Sequence, residues 1–210
     1  MWFFVVKRNL SVSAIDDLQI QQIVQQVLKQ IMGLSPQGTV PEYTPSVAET
    51  APKPERQVGV RKVVAIGADH GGFELKETLK ADLGGMGLDV NDVGTYSKAA
   101  VDYPDYAHEV AKLVSSGKAW RGIMIDGAGI GSCIVANKVP GVRAGMAYDY
   151  SSAVNSREHN DTNILTLGAG LIGVNLAKQI VKTWLSTEFS GERHARRVDK
   201  ISVVEKLYLK

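Results

Sequence analysis

Asp126-Gly-Ala-Gly-Ile-Gly-Ser132 carries the densest chemical content of the chain, and it directly follows the apolar run Gly122-Ile-Met-Ile125. A buried strand running into closely spaced glycines exposes several backbone N–H groups at one point, and glycine lets an anion approach them. Ile134, Val135 and Ala136 then suit a helix whose N-terminal dipole also favours negative charge. Asp126 stands at the strand's carboxyl end, where open α/β sheets place their ligands. The same pattern also serves as a plain strand-to-helix turn. Asp69-His70, ahead of Gly71-Gly72, pairs a carboxylate, a group that can accept from hydroxyls such as those of a sugar, with an imidazole that can donate or accept a proton. Asp69 suits a helix cap equally well. His159 lies in the polar run Arg157-Glu-His-Asn-Asp-Thr-Asn163, which fits a site or a surface loop. In Arg193-His-Ala-Arg-Arg197 the outer arginines project from one helix face, and their forked donors suit a phosphate or simply a solvated basic face. His108 sits in an ordinary helical pattern and is read as structural.

Two other chemistries recede. Gly127-x-Gly129-x-Gly131 lacks the last glycine of a dinucleotide fingerprint, Ser132 standing in its place, and it follows the third strand rather than the first. No cluster of histidine, cysteine and carboxylate has metal-ligand spacing. Neither cofactor nor metal is expected.

The elements that must position these residues alternate. Strand patterns cover Lys62–Ile66, Leu88–Asp92, Gly122–Ile125, Val142–Met146 and Ile164–Leu167. Helical patterns cover Phe73–Leu83, Tyr106–Ser115, Gly131–Lys138, Ser151–Glu158, Val174–Ser186 and Glu192–Tyr208. Such alternation predicts an α/β fold with a five-stranded parallel sheet, helices on both faces and right-handed crossovers. The loops Gly67–Gly72, Gly94–Pro104, Asp126–Ser132 and Tyr148–Tyr150 then gather on one sheet edge. His159 and Asn160 precede the fifth strand and join that edge only if a helix returns them to it.

The chain has 210 residues, 44% of them hydrophobic and 22% charged, and a net charge of +2, which gives no strong attraction to nucleic acid or acidic membranes. A single cysteine, Cys133, precludes an intrachain disulfide and fits a reducing compartment. The apolar start Met1–Val6 is stopped by Lys7-Arg8, too early for a secretory core or a membrane span, so the protein is read as cytoplasmic. Residues 35–60 hold five of the seven prolines and read as a linker between an N-terminal segment, 1–34, and a folded domain, 61–210. Within 13–33, Ile20, Ile23, Val24, Val27, Leu28, Ile31 and Met32 recur at helical spacing. That helix docks on its own domain, dimerises or targets the protein to a partner.

Gly67-Ala-Asp-His-Gly-Gly-Phe-Glu-Leu-Lys76, Asp102-Tyr-Pro104, the Gly127–Gly131 loop with Ala136-Asn-Lys138, His159-Asn-Asp-Thr-Asn163 and Gly191-x-Arg-His-x-x-Arg197 occur in order. Over about residues 61–205 the chain resembles the type B ribose-5-phosphate isomerase family, which includes the galactose-6-phosphate isomerase subunits. The resemblance implies a Rossmann-like three-layer fold with a C-terminal helix. It implies a homodimer or dimer of dimers with sites between subunits, and metal-free conversion of an aldose phosphate to a ketose phosphate through an enediolate, ribose 5-phosphate being the first candidate. It assigns ring opening to His159, and sugar contacts to Asp69, His70, Tyr103 and Asn160. Gly127, Ala128, Gly129, Ile130 and Gly131 become the enediolate's anion loop, and Arg193 and Arg197 the phosphate ligands. The carbon-acid base falls at Asp126, where the family usually has cysteine. Some members use a glutamate where this chain has Ser132. Ala128 replaces a hydroxyl residue, and Gly170 replaces an arginine. The departures leave open a non-catalytic, sugar-phosphate-binding homologue. The short N-terminal helix on a Pro-rich tether resembles the encapsulation peptides of bacterial microcompartment enzymes, which would make a shell the partner of residues 13–33.

Overall fold

The computed structural model describes residues 61–208, together with Gln22, Gln26 and Val27, which are helical and exposed. The chain divides into two compact units, Met1–Arg56 and Gln57–Lys210. The fold described is that of the second. Apart from those three positions, the helix expected over 13–33 and the linker 35–60 lie outside the described residues.

Strands and helices alternate as β1 (Val63–Ala68), α1 (Phe73–Gly85), β2 (Asp89–Asp92), α2 (Tyr103–Ser115), β3 (Arg121–Asp126), α3 (Ile130–Ala136), β4 (Ala144–Met146), α4 (Tyr150–Glu158), β5 (Ile164–Gly168), α5 (Val174–Ser186) and α6 (Glu192–Tyr208). All strand pairs are parallel, in the order β2-β1-β3-β5-β4. Side chains alternate across the sheet. Val64, Ile66, Ile123, Ile125, Leu165 and Leu167 point to one face, where α1, α4 and α5 bury Leu79, Ala153, Ile180 and Trp184. Ala65, Met124 and Ile164 point to the other, under Val110 and Ala111 of α2 and Ala136 of α3. The result is the expected three-layer α/β fold with a C-terminal helix.

Local chemistry sets the element ends. Asp149 does not wait for a ligand. Its carboxylate accepts from the Ser152 N–H at 2.6 Å, the Ser152 hydroxyl reaches back, and this capping box starts α4. Tyr103, expected in a loop, is the first residue of α2, because extended Asp102 precedes it and Pro104 fits the first helical turn. At the other end of the sheet, Arg121 donates to the carbonyls of Trp184 and Leu185 at 2.9 and 3.0 Å, satisfying the last turn of α5. Its guanidinium lies over Trp120 and Trp184, and burial lowers its pKa to about 10, so it remains cationic at neutral pH.

Candidate active site

From β1 the chain moves first to β2 on one side and later to β3 on the other, which opens a crevice between the carboxyl ends of β1 and β3. Asp69 and Asp126 flank it. The Asp69 N–H donates to the Ile125 carbonyl at 3.1 Å, joining the two strand ends. The Asp69 side chain is buried, and its Oδ1 accepts from the Gly72 N–H at 2.9 Å. It closes a turn and leaves α1 without a side-chain cap. His70 is exposed, with Nδ1 3.2 Å from the Val101 carbonyl and 3.3 Å from the Val101 N–H, its role following the tautomer. Gly71 packs on Gly127, and the ring of Tyr103 lies against Gly131. Asp69, His70, Tyr103 and the glycine loop therefore form one group.

The Asp126 carboxylate is buried and turned into its own loop. Oδ1 accepts from the N–H groups of Ala128, at 2.8 Å, and Gly129. Oδ2 accepts from the Ser132 N–H, at 3.1 Å, and the Ser132 hydroxyl. Of the expected anion loop, Ala128 and Gly129 thus already hold an anion, one the chain supplies. The N–H groups of Gly127, Ile130 and Gly131 carry no bond to that carboxylate. The loop is locked to the end of β5. Ala169 donates to Asp126 O at 2.8 Å, and Gly170, the glycine that replaces an arginine, donates to Gly127 O at 3.0 Å. Gly129 has φ +78°, and a Cβ there would lie 2.9 Å from the Leu167 carbonyl carbon; one on Gly168 would lie 2.6 Å from that of Ala128. Only glycine permits backbones so close.

His159, Asn160, Arg193 and Arg197 form a second group, which does not meet the first within one chain. Helix α4 returns from the carboxyl end of β4 to the amino end of β5, and His159 ends it. The Asn163 carbonyl accepts from the Gly122 N–H at 2.9 Å, near the start of β3, whereas Asp126 ends that strand. At ~3.3 Å per residue the two groups stand about 13 Å apart along the strands. The condition under which His159 would join the Asp126 edge is therefore not met within one chain: a helix following a parallel strand runs back to the opposite edge.

This second group has its own order. The His159 ring stacks on that of His194, 4.1 Å between centroids and 5° from parallel. His159 Nδ1 lies 2.7 Å from the Asn155 amide, and the Asn160 amide donates to Asn155 Oδ1 at 3.2 Å. Buried His194 accepts from Arg193 Nε at 3.1 Å through Nε2, which therefore carries no proton. Burial, with the charges of His159, Arg193 and Arg197, pushes the His194 imidazole below its ordinary range. Ser190 bonds the Glu158 carbonyl through both its N–H and its hydroxyl, fixing the start of α6 beside the end of α4. Arg193 and Arg197 are exposed, and neither has a carboxylate within 4 Å among the described residues.

Sequence reading missed two residues. His194 lies far from His159 in sequence, and only the α4–α6 corner stacks them. Ser132 was noted for what it replaces, while its bond to Asp126 follows from a tight turn that sequence spacing does not reveal. An open cleft of about 640 Å³ beside β4, lined by Arg143, Met146, Asp149, Asn155, Asn160 and Ile201 among others, shares only Asn160 with the candidate residues. Among the described residues no three histidine, cysteine or acidic side chains gather to hold a cation, and no helix is long and apolar enough to cross a membrane.

Comparison with known proteins identifies the family. Residues 64–201 match the model of the family described as Ribose/Galactose Isomerase. Ribose-5-phosphate isomerase B of Escherichia coli is 45% identical over 144 residues, 69% of this chain and 97% of that one. D-erythrulose-4-phosphate isomerase of Pectobacterium atrosepticum is 43% identical over 144 residues, 68% of this chain and 94% of that one. The solved structure of ribose-5-phosphate isomerase B from Clostridium thermocellum superposes with a TM-score of 0.69 at 50% identity, covering 70% of this chain and 99% of that one. With its sheet order, its crevice and these relatives in accord, the chain belongs to the ribose/galactose isomerase family.

Proposed function

We propose that this chain interconverts an aldose phosphate and a ketose phosphate, ribose 5-phosphate and ribulose 5-phosphate first among them. The observation that carries the reading is the Asp126 carboxylate at the β1/β3 crevice, beside Asp69, His70 and Tyr103. Shifting a hydrogen between adjacent sugar carbons needs a base within reach of the C–H and fixed donors around the oxyanion that forms. Asp126 removes the C2 proton, exchanges it in part with solvent and delivers a proton to C1. Gly127, Ile130 and Gly131 offer N–H groups to the enediolate, while Asp69, His70, Tyr103 and Asn160 hold hydroxyls. His159 opens the sugar ring, and Arg193 and Arg197 anchor the phosphate away from the reacting carbons. Because the two groups lie at opposite ends of β3, one site takes Asp126 from one subunit and the α4–α6 corner from another. The working unit is then a homodimer with two such sites. The apolar stripe of 13–33 is its means of recruitment to a larger assembly, such as a microcompartment shell.

Loss of C2 hydrogen to solvent, followed on ribose 5-phosphate and on a panel of tetrose, pentose and hexose phosphates, tests the reading. Turnover on one of them is the expected result. Binding without exchange on all of them rejects catalysis and leaves an accessory sugar-phosphate-binding homologue. One observation favours that second reading: every acceptor position of Asp126 is already engaged.

A further inference from the structure

A carboxylate offers about four lone-pair positions, and Asp126 fills them with the N–H groups of Ala128, Gly129 and Ser132 and the Ser132 hydroxyl. A base so saturated takes no proton until one donor leaves. The three N–H groups are held by the backbone, two of them in the segment locked against β5. The fourth donor differs: a hydroxyl turns about its C–O bond without moving the chain. Ser132 is buried, so in the empty site its hydroxyl is held on Oδ2 and is not drawn off to solvent.

We propose that Ser132 is the positioning residue of the Asp126 base: its hydroxyl holds Oδ2 in the empty site and turns aside as the substrate proton arrives. This rests on the reading of Asp126 as the base. The carboxylate torsion of aspartate is broad, and on the Oδ2 side the remaining bond, from the Ser132 N–H, is long at 3.1 Å. The hydroxyl therefore fixes the carboxylate plane and thus the aim of Oδ2. In the step itself the C2–H bond breaks, its electron pair stays on the sugar as the enediolate, and the proton passes to Oδ2. Oδ2 then delivers a proton to C1 while the C2 hydroxyl proton passes to O1, which leaves the carbonyl at C2, and the Ser132 hydroxyl swings back. No other reactant enters.

The test uses the full-length chain and ribose 5-phosphate deuterated at C2. Ser132→Ala should lower kcat about 10- to 100-fold, the range that misaim of a reacting group produces, with KM within about twofold. In a single turnover the rate of deuterium loss should fall by the same factor while the amplitude holds. Ser132→Thr, which restores the hydroxyl, should recover most of the rate. Ser132→Ala with wild-type kcat, or with lost amplitude at an unchanged rate, overturns the proposal, as does a folded Ser132→Thr no better than alanine. Should threonine prevent folding, rate against amplitude in the alanine variant decides. Asp126→Asn assayed alongside separates the two ideas. If it retains activity the base assignment itself is wrong, whereas an inactive asparagine variant beside a fully active Ser132→Ala rejects only the role of Ser132.

Discussion

Replacing Asp126 by asparagine probes its place as a strut of the loop and its proposed role as base. The oxygen facing Ala128 and Gly129 can remain an oxygen, but the amide nitrogen then faces the Ser132 N–H, donor against donor. The Ser132 hydroxyl can reverse and accept. One bond to a charged acceptor is lost outright, and the others lose their charge assistance. Bonds to charged groups contribute about 1.5–3 kcal/mol and neutral ones about 0.5–1.5, so the variant should lose roughly 2–4 kcal/mol after allowing for the smaller desolvation of a neutral amide. For a domain of this size that lowers the melting temperature by roughly 5–15 °C. Per folded molecule, C2 exchange should fall by about 10² or more, as for a lost general base. The assays are thermal unfolding by circular dichroism and exchange measured well below the variant's midpoint. Wild-type exchange refutes the catalytic assignment, and wild-type melting refutes the strut. A variant that melts early yet exchanges normally would leave Asp126 as architecture alone.

Arg197→Ala should weaken phosphorylated ligands about 10- to 100-fold, the loss of one charge-assisted contact, and leave the free sugar unchanged; calorimetric titration of both compares them. Mixed and refolded with Asp126→Asn, the same variant should regain activity, because one site of a mixed dimer then carries neither change; an inactive mixture argues for sites within one chain. Burial, with the charges of His159, Arg193 and Arg197, holds the His194 imidazole below its ordinary value, so the unfolded chain takes up that proton first. Stability should be flat above about pH 6.5 and decline as the pH falls below it. His194→Phe, which keeps the stack, should flatten the melting curve there. Deleting residues 1–57 should leave folding and exchange intact, since the family match begins at residue 64; a large drop in melting temperature would mean that the extension supports the domain.

Hydrophobic period and punctuation made most of the fold legible. The expected α5 and α6 agree with the observed ends, and Ile123, Ile125, Leu165 and Leu167 announce a buried central sheet. The crevice was legible too, because topology places the Asp69 and Asp126 loops on one edge whatever their side chains do. What escaped depends on tertiary geometry. No period tells that Asp126 spends its acceptors on its own loop, that His194 lies under His159, or that Arg121 reaches α5. His159 shows the gap most clearly: its residue type pointed to chemistry, but its edge follows from the direction of α4, which a parallel sheet dictates and a list of motifs omits.

The contact between the glycine loop and the end of β5 also bears on how this site can change over generations. Gly129 and Gly168 meet neighbouring backbone at distances that admit no side chain. That wall is closed to gradual mutation, since a side chain added there displaces main chain before it reaches a sugar. With the roles proposed above, a lineage that alters which phosphorylated sugar it accepts would work from the opposite wall, through Tyr103, His70 and the segment leading to Val101, or through the histidine–arginine corner. Variation sampled there leaves the Asp126 loop undisturbed, so substrate range and the proton transfer proposed for Asp126 would be free to evolve separately.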